Sequence, residues 1–232
     1  NRQDRPIGDY WDHGLLRLTL AGVIAKSSNI GTVLAADQYG PGQLRSYLVN
    51  FGLGQRTGIG LGGESKGILP KGAAWTSQVG DRIAFGQSLS VNAVQMTAAI
   101  NTIANGGVRV DPSLIKGAAT GDDGSRIGSE EATSRRVISK KAADETTLIL
   151  ERVLDPDAGV APSAAVPGYR VAGKTGTAQR VGEECGCYDG TFTVSFAGFA
   201  PADDPRFTVY VVIQRPEAPA GGGSTAGPVV RQ

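Results

Sequence analysis

The sequence predicts an α+β domain, a set of helices followed by an antiparallel sheet. Two patterns carry that prediction. Apolar residues recur at helical spacing over roughly the first two thirds of the chain, and the period switches to two after Asp155-Pro156. Helices and strands are thus segregated along the chain, which argues against repeated βαβ units.

Residues 1–13 are polar, carry Pro6 and Gly8, and read as an extended lead-in. Leu16, Leu20, Val23 and Ile24 share a stripe in a helix predicted over Leu15 to Lys26. The pattern breaks at Ser28-Asn29 and resumes from Ile30 to Gln38. Pro41, at a helix start, opens Gln43 to Asn50. Gly52 to Gly72 is a glycine-rich loop region. Val91 to Asn105 is the clearest helix, with Val91, Val94 and Ala98 on one stripe, and Asn105-Gly106-Gly107 closing it. Thr120 to Ser134 is a polar, exposed excursion. Ser139 caps a helix to about Leu154, stopped by Asp155-Pro156. Phe192, Val194 and Phe196 then alternate with Thr191, Thr193 and Ser195, and Phe207, Val209, Val211 and Ile213 alternate with Thr208, Tyr210 and Val212. These are two antiparallel strands joined across residues 201–205. Tyr169 to Gln179 is a third strand. Residues of about 14–155 are therefore expected to be mostly helical, and about 168–215 to form the sheet.

The 232 residues suit one large domain, or a domain with a small subdomain, and 40% hydrophobic content is enough for a core. A net charge of +1 gives nucleic acid no electrostatic case. No apolar run reaches the roughly 18 residues of a membrane span, and no signal peptide is visible. Cys185, Cys187 and His13 are the only cysteines and histidine, a poor basis for a metal site. A Cys-x-Cys disulfide closes a small, strained ring. The two thiols are either a local loop staple or free, and neither has a base near in sequence for catalysis.

Two motifs carry chemistry. Ser27-Ser28-Asn29 places a hydroxyl that can pass a proton one residue from an amide that can orient a substrate amide. By itself it reads as ordinary capping between two helices. Lys174-Thr175-Gly176-Thr177 sits on the third strand, where alternation sends Lys174 and Gly176 one way and Thr175 and Thr177 the other. Gly176 lets a ligand backbone lie close. A cation and a hydroxyl beside it can hold a carboxylate. The lysine can also lower the pKa of a neighbouring lysine by like-charge repulsion.

Other matches fail on context. Ser113-Leu114-Ile115-Lys116 fits Ser-x-x-Lys but lies between Asp111-Pro112 and Gly117, which favours extended chain over helix. Gly63-Glu64-Ser65-Lys66-Gly67 fits a nucleophile elbow, yet no histidine follows it. Gly58 to Gly63 fits a dinucleotide fingerprint without a helix or βαβ unit around it. Asp122-Asp123, Glu130-Glu131 and Asp203-Asp204 sit in predicted loops as solvated acids.

Ser-x-Asn followed by Lys-Thr-Gly, in that order, resembles the penicillin-binding and serine β-lactamase group. The match widens through Lys26-Ser27-Ser28-Asn29-Ile30-Gly31, Phe51-Gly52-Leu53-Gly54, residues 63–70, Ala84 to Val91, Ile103 to Gly107, and Phe196 to Pro201. On these residues most of the chain is similar to the transpeptidase domain of class B penicillin-binding proteins, most like the division-specific septal (FtsI-like) type. The resemblance implies a five-stranded antiparallel sheet flanked by helices, beside a helical subdomain, with the active site between. It implies catalytic roles for Ser27, Asn29 and Lys174: Ser27 as a proton relay and Asn29 as holder of the peptide amide. Thr175, Gly176 and Thr177 are implied as substrate-binding, the two threonines on the carboxylate of a D-Ala-D-Ala stem peptide or a β-lactam. Backbone N–H groups near Thr177 would contribute an oxyanion hole. The implied reaction is acyl transfer through a serine ester, without metal or organic cofactor. The implied partners are a septal glycosyltransferase and other division proteins, and the implied site of action is the outer face of the cell membrane.

The third signature, a Ser-x-x-Lys with the nucleophile, should precede Ser27, and residues 1–26 contain no serine. The C-terminal Gly223 to Pro228 resembles the lead into the family's last helix. The chain is therefore expected to be a partial domain, and as a lone polypeptide not to be acylated. Two rivals stay open: a non-catalytic scaffold module that keeps the cleft, and a carboxypeptidase or β-lactamase in which water resolves the acyl-enzyme.

Overall fold

The computed structural model describes residues 6–129, 132–182, 186–217 and 221–232. Helices α1 (Leu20–Lys26), α2 (Asn29–Ala36), α3 (Gln43–Asn50), α4 (Ser77–Ala84) and α5 (Ala93–Ala104) come first. Four short strands follow, β1 (Val108–Val110), β2 (Gly117–Thr120), β3 (Arg126–Ser129) and β4 (Ser134–Arg136). Then come α6 (Lys140–Glu151), the strands β5 (Ala172–Val181), β6 (Tyr188–Ala200) and β7 (Phe207–Gln214), and the terminal turn α7 (Gly227–Val230).

The caps set the boundaries. Helix α1 starts five residues later than its apolar stripe suggests, because Thr19 caps it through Gly22 N–H at 3.2 Å. Leu15 and Leu16 lie outside the helix and outside the core. Asn92 and Gln95 form a reciprocal capping box that opens α5. Ser139 caps α6 as expected, and the last turn tightens into a 3-10 segment over Arg152–Leu154. Helix α4 was not expected: Thr76 caps it through Val79 N–H, but only Val79 and Ile83 give its polar sequence an apolar stripe. The excursion after Thr120 is exposed, yet it folds as a β2–β3 hairpin instead of a structureless loop. Asp123 Oδ1 accepts from Ser125 N at 2.9 Å, and Gly124 takes the positive φ of 78° that the turn requires. A second ribbon pairs β1 with β4.

The main sheet has the order β5-β6-β7, antiparallel throughout. The described residues thus hold three strands of it, not the five implied by the resemblance, and β5 has a free edge. Phe196 and Phe199 of β6 sit in two adjoining core clusters. The first gathers Val153, Leu154, Ala161, Ala164, Val171 and Ala226, and the second Leu150, Ala172 and Ala202. Gly173 has no side chain because a β-carbon there would lie 2.6 Å from Phe196 Cε1. Helix α5 packs on the sheet through Ile100 and Ile103. Ile24 of α1 packs against both clusters. That contact carries the end of α1 to the sheet.

Phe196 is fully buried, so Phe196→Ala leaves a cavity at the centre of this core. The urea midpoint should fall by the equivalent of about 3–5 kcal/mol with an unchanged m-value. A loss under about 1 kcal/mol would show that the core is not centred there.

Candidate active site

The site begins with one backbone reversal. Helix α1 ends at Ser27, which takes the left-handed conformation (φ 56°, ψ 44°), unusual for a residue with a side chain. Ser28 returns to extended chain and caps α2 through Gly31 N–H at 2.9 Å. The reversal turns the Ser27 hydroxyl out of the helix and towards β5. There Lys174 Nζ donates to Ser27 Oγ at 2.7 Å, across 147 positions of sequence.

Lys174 Nζ also donates to Thr175 Oγ1 at 3.1 Å and Thr175 O at 3.2 Å. No carboxylate pairs with it among the described residues, and burial lowers its pKa to about 8. The ammonium is held by neutral oxygens in a place that disfavours its charge. An incoming carboxylate would therefore gain from it.

Thr177 Oγ1 accepts from Gly222 N at 3.2 Å. Both threonine hydroxyls thus accept from an N–H donor and keep their own hydrogen to donate. Thr175, Gly176 and Thr177 all border one cleft. Ser27 and Asn29 close the opposite side. Asn29 Nδ2 donates to Gly8 O at 3.0 Å, which sets the plane of its amide. The cleft encloses about 660 Å³.

Residues unassigned from sequence complete the walls: Tyr10, Phe85, Gln87, Val160, Gln179, Phe192 and the segment Gly221 to Ser224. Gly222 opens a π-helical turn, Gly222–Ala226, laid against the strand. A β-carbon on Gly222 would sit 2.6 Å from Gly176 O, so the contact requires glycine on this wall. The run Gly221-Gly222-Gly223 was the available signal for such close approach.

The penicillin binding protein transpeptidase domain model matches residues 1–232. The chain belongs to that family. Two mycobacterial members, both named penicillin-binding protein PbpB, are similar along nearly its whole length. The one from Mycolicibacterium smegmatis is 42% identical over 97% of this chain and 36% of its own length. The one from Mycobacterium tuberculosis is 41% identical over 96% of this chain and 34% of its own length. Peptidoglycan D,D-transpeptidase FtsI of Escherichia coli is 34% identical over 91% of this chain and 34% of its own length. The chain spans about a third of the length of these curated relatives. Among solved structures, penicillin-binding protein 3 from Mycobacterium tuberculosis complexed with aztreonam superposes with a TM-score of 0.87 at 40% identity. That match covers 97% of this chain and 52% of the other. The chain is thus close to the septal class B members of the family, with their fold of helices and antiparallel sheet.

The rejected motifs have structural work instead. Glu64, in the elbow-like segment, accepts from Thr57 N at 2.8 Å, Thr57 Oγ1 at 2.7 Å and Gly58 N at 3.3 Å. It ties the glycine-rich loop into a ring. Ser113 lies in irregular chain before β2 with its hydroxyl bonded to Ile115 O at 2.7 Å. Of the paired acids, Asp122, Asp123, Asp203 and Asp204 are exposed, and Glu130 and Glu131 lie outside the described residues. Cys187 is disulfide-bonded, which closes the free-thiol alternative for it; Cys185 lies outside the described residues.

The buried Lys174 makes a pH prediction. Its folded pKa, about 8, lies below the ordinary 10.5, so between these values the unfolded chain binds more protons. Stability should rise as pH climbs from about 8 to 10.5, and the full penalty of burying the charge should be present below about 8. Urea midpoints across that range should show the rise in the native chain and its loss in Lys174→Met. An equal rise in both would assign it to another group.

Proposed function

We propose that this chain forms the cleft of a serine-type peptidoglycan D,D-transpeptidase that crosslinks stem peptides in septal wall synthesis. The observation that carries this is the Lys174 ammonium 2.7 Å from Ser27 Oγ, with two oriented threonine hydroxyls beside it. In this reading Thr175 and Thr177 bind the terminal carboxylate of the donor D-Ala-D-Ala peptide, with Lys174 supplying positive charge. Asn29 holds the peptide amide. A serine oxygen attacks the penultimate carbonyl, forming an ester and breaking the amide to D-Ala, and Ser27 passes the proton towards the leaving amine. The amine of a second stem peptide then displaces the serine. Backbone N–H groups near Thr177 contribute to the oxyanion hole.

The serine nucleophile and its lysine are assigned to residues outside this sequence, since none of residues 1–26 is a serine. The helical wall is drawn from residues of about 14–155 and the strand wall from about 168–215. β-Lactams occupy the same subsite through the anionic group beside the lactam nitrogen, a reading supported by the relative's complexes with aztreonam and ampicillin. The proposed partners are a septal glycosyltransferase and other division proteins, and the proposed location is the outer face of the cell membrane. No helix among the described residues is long and apolar enough to cross a membrane.

The test is intact mass after incubation with a penicillin, on this chain and on the protein extended upstream. The extended protein should gain one drug mass and this chain none. An adduct on this chain would relocate the nucleophile, and no adduct on either folded protein would favour a scaffold role. In the extended protein, Thr177→Ala should weaken the encounter with a β-lactam about 10- to 100-fold, the loss of one hydrogen bond to a charged group. Equal affinity would remove Thr177 from the carboxylate subsite.

A further inference from the structure

The lead-in segment does more than enter the fold. Asp9 lies 19 residues before Ser28, and its carboxylate reaches the turn that presents Ser27 and Asn29. Oδ2 accepts from Ser28 Oγ at 2.8 Å and from His13 Nε2 at 3.0 Å. Oδ1 accepts from Ile30 N at 3.1 Å, in the first turn of α2. The neighbouring Gly8 carbonyl takes Asn29 Nδ2. The Asp9 side chain is only 2% exposed, with the Ser28 bond partly buried and the His13 and Ile30 bonds at the surface. Burial alone would raise its pKa, but the hydrogen bonds from Ser28, Ile30 and His13 outweigh that and hold it below the ordinary value. The group is therefore an acceptor-only carboxylate at neutral pH.

The strain at Ser27 shows why such a clamp matters. A serine in the left-handed region is disfavoured and persists only where its surroundings over-determine it. Within α1, the turn has the Ser27 N–H bond to Ile24 O. On its far side, Ser28 Oγ both caps α2 and donates to Asp9. Asp9 thus joins the residue after the strained serine to the first turn of the next helix.

We propose that Asp9 is a positioning residue of the cleft: its carboxylate locks the Ser27–Asn29 turn so that Ser27 Oγ stays against Lys174 and the Asn29 amide stays against the substrate. This rests on the transpeptidase reading for its catalytic consequence, but not for its structural one. Asp9 touches no reacting atom; it acts through Ser28 and α2.

The test uses the full parent protein, native and as Asp9→Asn and Asp9→Ala, with two readouts. The first is acylation by ampicillin, resolved into the dissociation constant of the encounter complex and the acylation rate constant. Both variants should lose about 10- to 100-fold in the rate constant, the fold-change of one charge-assisted hydrogen bond, with the encounter constant nearly unchanged. A native rate constant in the variants, with only a lower melting temperature, would overturn the proposal and leave Asp9 as a tether for the lead-in. The second readout is amide hydrogen exchange at residues 29–31, which needs no activity. Exchange there should quicken in the variants while α5 and the sheet keep their protection. Unchanged exchange would overturn the clamp whatever the kinetics. Should the native protein fail to acylate while exchange still quickens, the clamp stands and the transpeptidase reading falls.

Discussion

The contact between Lys174 and Ser27 is the constraint on which the site depends. It joins the end of a short helix to an edge strand, and neither partner is held by its own element alone. Lys174 is placed by β5, whose register with β6 is set by pairing from Ala172 to Gln179. Ser27 is placed by α1, pinned to both core clusters through Ile24. A core contact one turn from the serine therefore controls a polar contact in the cleft. Because the ammonium meets only neutral oxygens among the described residues, the site stores a charge that burial disfavours and an anionic ligand would relieve.

A polar framework holds the rest of the cleft wall. Gln95 is completely buried, yet its amide is fully engaged: Nε2 donates to Gln55 O and Lys66 O, and Oε1 accepts from Asn92 N. Asn92 in turn donates to Ser65 O and Glu64. The loop from Gln55 to Gly67 is thereby knitted to the start of α5, and Ile68 pairs with Ser90. The rim residues Phe85 and Gln87 stand just before that bridge. A glycine-rich loop is thus held by amide and carboxylate bonds beside the single buried apolar side chain of Ile59.

Much of this was legible in the residues. Ser27, Asn29 and Lys174 to Thr177 were marked by motif order, and the period change located β6 and β7. The false motifs were separable because each lacked the neighbouring element its chemistry needs. What was not legible depends on partners distant in sequence. Helix α4 has too few apolar residues to announce itself. The β2–β3 hairpin was signalled only by Asp123-Gly124 in an otherwise polar stretch. Gly222 and Asp9 matter through contacts 45 and 19 to 21 residues away, which no local pattern encodes.

The central claim is that Lys174 and Ser27 act as one unit across the cleft. The most direct measurement is a double-mutant cycle on the β-lactam acylation rate constant of the upstream-extended protein, with Lys174→Ala, Ser27→Ala and both together. Residues in contact are expected to couple, so the double variant should be little slower than the worse single one. Losses that multiply independently would show that the 2.7 Å contact has no part in the chemistry.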